Sequence, residues 1–156
     1  VRDLHEFYIN VAELTAGRST CARKKVGAIL VKDDRIISTG YNGVLSGAPH
    51  CEDMFFGKIN WDCASLDSKI SQEHHKFSSI EEVHAEQNVI AFAARHGVVT
   101  EGCTLYITLA PCPDCSKLIA AAGITTVVYH HEYDRNSSGV EFLQRHGITV
   151  VKWTNA

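Results

Sequence analysis

Apolar residues recur at helical intervals near the start of the chain. Across residues 3–16, Leu4, Phe7, Tyr8, Val11, Ala12 and Leu14 keep that spacing, and Gly17 suits a helix end. The period then changes to two. Residues 26–31 and 35–41 are β-branched runs separated by a Lys-Asp-Asp segment, which predicts an antiparallel hairpin with a polar turn. Residues 42–80 sustain no period and mix Gly, Asn and Asp with Met54, Phe55, Phe56 and Trp61. A loop of that length inside a compact chain is either functional or held by something other than a core, so it reads as an irregular insert that carries a site.

Order returns at Ser79. As an N-cap with Glu82 three residues on, Ser79 predicts one helix running through Val83, Asn88, Val89, Phe92 and Ala93 to Gly97. A strand over 104–108, a helix over 116–122, a strand over 125–130, a helix over 140–146 and a strand over 148–153 follow. Alternation with short connections demands parallel strands joined by crossover helices, while the leading hairpin adds an antiparallel pair. The expected fold is α/β: a three-layer α/β/α sandwich around a mixed sheet of about five strands, in one domain over residues 1–156 with the insert at about 42–80.

Composition narrows the function. Hydrophobic residues at 45% and charged residues at 21% exclude a disordered or fibrous chain. A net charge of -3 and a pI near 6.3 argue against a polynucleotide binder, which needs a dense basic face, and leave room for a small anionic ligand. No run approaches the roughly 20 apolar residues of a membrane span, and the opening VRDLHEFYIN lacks a basic region followed by an apolar core. A soluble protein of the cytoplasm is expected. In that compartment six cysteines are better suited to metal than to disulfides, and nine histidines strengthen the inference.

The chemistry concentrates in His84-Ala85-Glu86 and Pro111-Cys112-Pro113-Asp114-Cys115, each placed on or at the start of a predicted helix with a strand between them. His84, Cys112 and Cys115 supply one imidazole and two thiolates. Three protein ligands leave a fourth position on zinc for water, which the metal acidifies. Glu86, two residues from His84, is placed to move protons rather than to close the coordination sphere. A lone C-x-x-C also occurs as a redox pair or as half of a closed zinc knuckle, but a thioredoxin-like reading gives no task to His84 or Glu86.

H-x-E followed by P-C-x-x-C is the signature of zinc nucleobase deaminases. Beyond it, RSTCARKKVGAILV, IISTGYNG, VHAEQNVIAFAARHG, TLYITLAPCPDC and VVYHHEYD resemble the deoxycytidylate deaminases of the cytidine and deoxycytidylate deaminase superfamily, in particular the T-even phage type, and cover most of the chain. The resemblance implies zinc on His84, Cys112 and Cys115, Glu86 as acid and base, and water attack at C4 of cytosine in dCMP to give dUMP and ammonia. It implies a sugar contact for Asn42, whose amide both donates and accepts, although Asn-Gly also forms turns. Tyr133 follows a strand end where ligands of open α/β sheets gather and could cover the base, or simply pack. Arg23 and Lys25 could meet the 5′-phosphate, or be solvated surface charge.

The resemblance further implies a second, structural zinc on Cys21, Cys51, His74 and Glu82, fastening the insert. His50, His75 and Cys63 are alternative fourth ligands, and buried free thiols are the plain alternative. It also implies a homohexamer activated by dCTP, with magnesium accompanying the regulatory nucleotide, and inhibited by dTTP. Two other functions compete: a zinc deaminase of another base or nucleoside, and a non-catalytic zinc-stabilised binding module.

Overall fold

The computed structural model describes residues 3–55, 68–133 and 136–155. Helix α1 (Leu4–Ala16) starts on Asp3, whose carboxylate accepts the His5 N–H at 2.9 Å. The hairpin follows as β1 (Gly27–Lys32) and β2 (Arg35–Tyr41). Its turn is the pair Asp33-Asp34, with φ of 50° and 58°, the left-handed conformation that matches the twist of a two-residue hairpin loop. Asp tolerates that region better than most side chains.

The insert differs from expectation. Its described part holds β3 (Gly43–Val44), α2 (Cys51–Phe55) and α3 (Lys69–Glu81). Apolar periodicity did not predict α3 because the face it buries is polar, Ser71 and His74. Its cap, Ser68, accepts the Ser71 N–H. Phe56, Trp61 and Cys63 lie outside the described residues.

The single helix expected from Ser79 to Gly97 is two helices. Ser79 lies inside α3 and spends its hydroxyl on the Lys76 carbonyl at 2.9 Å. Between the helices, β4 (Glu82–Val83) is extended and pairs antiparallel with β3. Helix α4 (Ala85–His96) then begins afresh on His84, whose N–H donates to Gln87 Oε1 at 2.8 Å. The capping motif exists, but at 84 and 87 rather than at 79 and 82.

The remaining elements alternate as expected: β5 (Thr104–Leu109), α5 (Pro113–Ala121), β6 (Thr126–His131), α6 (Ser138–Arg145) and β7 (Thr149–Lys152). The five-stranded sheet has the order β2-β1-β5-β6-β7, antiparallel across its first three strands and parallel across its last three. Strand alternation separates two cores. Ala28, Leu30, Leu105, Ile107 and Val127 meet α4, α5 and α6 through Val89, Ile119 and Leu143. Ile29, Val31, Tyr106 and Val128 face the other way, onto Tyr8 and Ile9 of α1. Three layers result, as the sequence pattern predicts, and each fully buried aliphatic side chain in them contributes about 1.5–3 kcal/mol.

Helix α1 lies so close to β1 that a Cβ on Gly27 would sit 2.1 Å from the Ala12 carbonyl oxygen and 2.5 Å from the Ala16 nitrogen. Both are helix backbone and cannot rotate away. Gly27→Ala is therefore expected to cost about 3 kcal/mol, a fall in Tm of about 6–12 °C for a chain of this size by calorimetry. Gly43→Ala, whose Cβ would meet only Thr20 Oγ1 at 3.6 Å, is expected to leave Tm nearly unchanged.

Candidate active site

Two helices begin at the same point. His84 caps α4, and Cys112 caps α5 with Pro113 at its first position, where a missing N–H costs nothing. Cys115, one turn on, donates its N–H to Cys112 Sγ at 3.5 Å. His84 Nδ1 lies 3.3 Å from Cys115 Sγ and 3.7 Å from Cys112 Sγ. The strand ends behind the loop are locked by the Ala110 N–H, which donates to the His131 carbonyl at 2.8 Å.

The donor set suits zinc. A hydrogen bond from Cys115 and the neighbouring His84 hold the Cys112 thiol down to about 4, while the same contact and burial push Cys115 up, so the pair shares one proton. The Cys112 contact raises His84. A divalent cation in this group replaces that proton and holds both sulfurs as thiolates. Among the described residues the group has three donors, His84, Cys112 and Cys115, which is the open arrangement of a catalytic site.

Glu86 stands in the first turn of α4, 5% exposed. Burial pushes its carboxyl up to about 7, against the pull of its own backbone N–H and of His84. A carboxyl that titrates near neutrality can both take and give a proton.

Asn42 is buried and heavily engaged. Its Oδ1 accepts from the Val26 N–H at 2.8 Å and the Ser19 hydroxyl at 2.7 Å, and its Nδ2 donates to the Lys24 carbonyl at 2.8 Å. It pins the 19–26 loop and keeps one amide hydrogen in reserve. Arg23, half-buried, and Lys25, exposed, ride on that loop. Tyr133 is half-buried and packs against the larger core just past β6. Asn88 and Gln87 were given no site role by the sequence pattern. Asn88 Nδ2 donates to the Tyr41 carbonyl at 2.6 Å, tying the end of β2 to α4, and Gln87 caps His84. The Gln three residues after His84 was the one available signal.

A second group assembles under the insert. Cys21, Cys51, His74 and Glu82 are all buried, with one ligand atom from each lying within 4.8 Å of the others. His74 Nε2 is 3.2 Å from Cys51 Sγ and 3.7 Å from Cys21 Sγ. Cys21 is held down to about 4 by its contact with Cys51, which is pushed up in turn, repeating the shared proton of the first group. Burial raises the Glu82 carboxyl, and its Oε1 finds no hydrogen-bond partner among the described residues. Of the alternative ligands, His50 is exposed beside Thr20 and His75 is exposed.

The description of the cytidine and deoxycytidylate deaminase zinc-binding region matches residues 2–131. The chain belongs to this deaminase family. The deaminase is 40% identical to the deoxycytidylate deaminase of Enterobacteria phage T4, an alignment covering 91% of this chain and 86% of that one. It is also 40% identical to the deoxycytidylate deaminase of Mycobacterium phage D29, over 83% of this chain and 96% of that one. The dCMP deaminase of cyanophage S-TIM5, solved in complex with dCMP and dUMP, superposes with a TM-score of 0.76 at 37% identity, covering 95% of each chain. The deaminase is thus a zinc-dependent hydrolase, and the binding-module reading falls away. Among its described residues no helix is long and apolar enough to cross a membrane.

The first turn of α6 presses on the loop that carries Cys112. A Cβ on Gly139 would lie 2.3 Å from the Pro111 carbonyl oxygen and 2.9 Å from the Cys112 carbonyl carbon. Gly139→Ala is expected to displace Cys112 and weaken zinc retention about 10–100-fold, as lost support around metal ligands does. Competition with a chelator measures it.

Proposed function

We propose that the deaminase hydrolyses dCMP to dUMP and ammonia, and so supplies dUMP for thymidylate synthesis. The observation that carries this reading is a buried carboxyl, Glu86, beside an open three-donor zinc group, in a chain so similar to deoxycytidylate deaminases over most of its length. His84, Cys112 and Cys115 hold the zinc, which when bound supplies Lewis acidity that makes water nucleophilic near neutral pH. Glu86 takes a proton from the attacking water as oxygen bonds to C4 and passes it to N3, then takes the proton of the new C4 hydroxyl and gives it to the amine, so that ammonia leaves as the C4–N bond breaks and C4=O forms. Asn42 offers its spare amide hydrogen to a sugar hydroxyl. Arg23 and Lys25 meet the phosphate at the mouth, and Tyr133 covers the base.

In this reading residues 1–156 form one domain whose insert is fastened by a second zinc on Cys21, Cys51, His74 and Glu82. The buried, four-donor character of that group and the orphaned Glu82 oxygen support it. Family resemblance extends the proposal to a cytoplasmic homohexamer activated by dCTP with magnesium and inhibited by dTTP. Leu4, Phe7 and Leu14, exposed on the outer side of α1, support assembly through an apolar face. The charge of -3 supports a free nucleotide rather than a polynucleotide.

Ammonia release from dCMP, deoxycytidine and cytidylate, each with and without dCTP, tests the substrate. Turnover is expected with dCMP, and Glu86→Gln is expected to lose about 10²–10⁴-fold in kcat with its zinc retained. No turnover of any of the three by zinc-replete protein would overturn the assignment.

After dialysis against a mild chelator, which strips weaker sites without thiolate ligands, a count of two zinc ions per chain is expected for the purified protein. In Cys51→Ser the count should fall to one and Tm should drop. An unchanged count in that variant would remove the second zinc.

A further inference from the structure

Glu13, His130 and His131 form a cluster that neither the deaminase centre nor the insert uses. Glu13 lies in the last turn of α1, and the two histidines end β6. Consecutive strand residues send their side chains to opposite faces, as Val128 and Tyr129 do just before. At the strand end this rule fails. The two imidazoles lie 3.9 Å apart, centroid to centroid. Both turn to one carboxylate oxygen: Glu13 Oε1 is 2.7 Å from His130 Nδ1 and 3.4 Å from His131 Nε2. The Trp153 ring, 5.0 Å from that of His130, shields the inner side, while 53% of the His131 side chain faces solvent.

We propose that Glu13, His130 and His131 bind a divalent transition-metal cation of the zinc and nickel class, at a site separate from the two thiolate groups. Donors about 2.1 Å from one ion stand about 3.0 Å apart at a right angle and about 3.4 Å apart at a tetrahedral angle. The observed 2.7 and 3.4 Å bracket those separations, and the three donor atoms lie within 4.8 Å of one another. Two imidazoles and a carboxylate with open positions toward solvent suit a borderline cation that keeps water ligands, not calcium or magnesium, which want oxygen alone. A hydrogen bond to His130 satisfies Glu13 but gives His131 no reason to turn to the same oxygen. Occupancy would clamp α1 to the end of β6. That strand end also holds the Ala110 N–H, next to the zinc loop, through the His131 carbonyl.

The test is equilibrium dialysis of the zinc-replete protein against Ni²⁺, with Tm recorded with and without the ion. One saturable nickel equivalent per chain is expected with zinc retained, together with a rise in Tm. His131→Ala and Glu13→Gln should each weaken nickel binding at least about ten-fold, since each removes one of three ligands. Half-exposed His131 can be replaced without disturbing the core, so its result stands even if Glu13→Gln fails to fold. Absence of a saturable equivalent, or equal nickel affinity in His131→Ala, would overturn the proposal.

Discussion

His84 and Cys112 are both N-cap residues, and the 3.7 Å between their side chains brings the starts of α4 and α5 together at one place. The positive ends of two helix dipoles converge where two sulfurs and the Glu86 carboxyl gather, a concentration of negative charge that would otherwise repel itself. Each helix is aimed by other elements. A Cβ on Gly40 would lie 3.0 Å from the Ala85 carbonyl oxygen and from Val89, so Gly40 lets β2 approach α4, with Asn88 bonded to Tyr41, and Gly139 lets α6 press on the loop that starts α5. Gly40 and Gly139 therefore serve the same end, bringing two helix starts face to face.

The two cysteine groups are mechanically one structure. Glu82 reaches into the insert group and His84 into the catalytic group, with only Val83 between, and Val83 is paired with Gly43 beside Asn42. An α-helix would have advanced only about 3 Å over those two residues, against about 6.6 Å for an extended chain. The extended step gives Glu82 and His84 the separation each needs to meet a different group. Loosening the insert thus acts on His84 through one residue of backbone, which is why a group far from the reaction in sequence belongs to the same stability unit.

The layer architecture was legible because it depends on alternation of apolar residues, and β1, β5 and β6 bury both faces in register with that alternation. The grouping of His84, Cys112 and Cys115 was legible because short spacings, H-x-E and C-x-x-C, fix side chains locally. What escaped was set by polar contacts at a distance. The break at Glu82–Val83 comes from pairing with a strand forty residues earlier, and α3 buries Ser71 and His74, which no hydropathy pattern marks. Asn42 was legible as a polar residue at a strand end, yet its work as a three-way anchor for the 19–26 loop needed the fold.

The role proposed for Glu86 requires burial and charge to be balanced so that one carboxyl serves as both base and acid. Burial, against the pull of its own backbone N–H and of His84, leaves it at about 7. A cation held by His84, Cys112 and Cys115 would pull it down, as the N-terminus of α4 does, while two thiolates would push it back up. Three neutral donors would leave the cation's full charge against the carboxylate and pin it ionised. Two thiolates would cancel that charge and let the carboxyl keep both a base and an acid form near neutrality. The choice of two cysteines and one histidine is then as much a matter of tuning Glu86 as of holding metal.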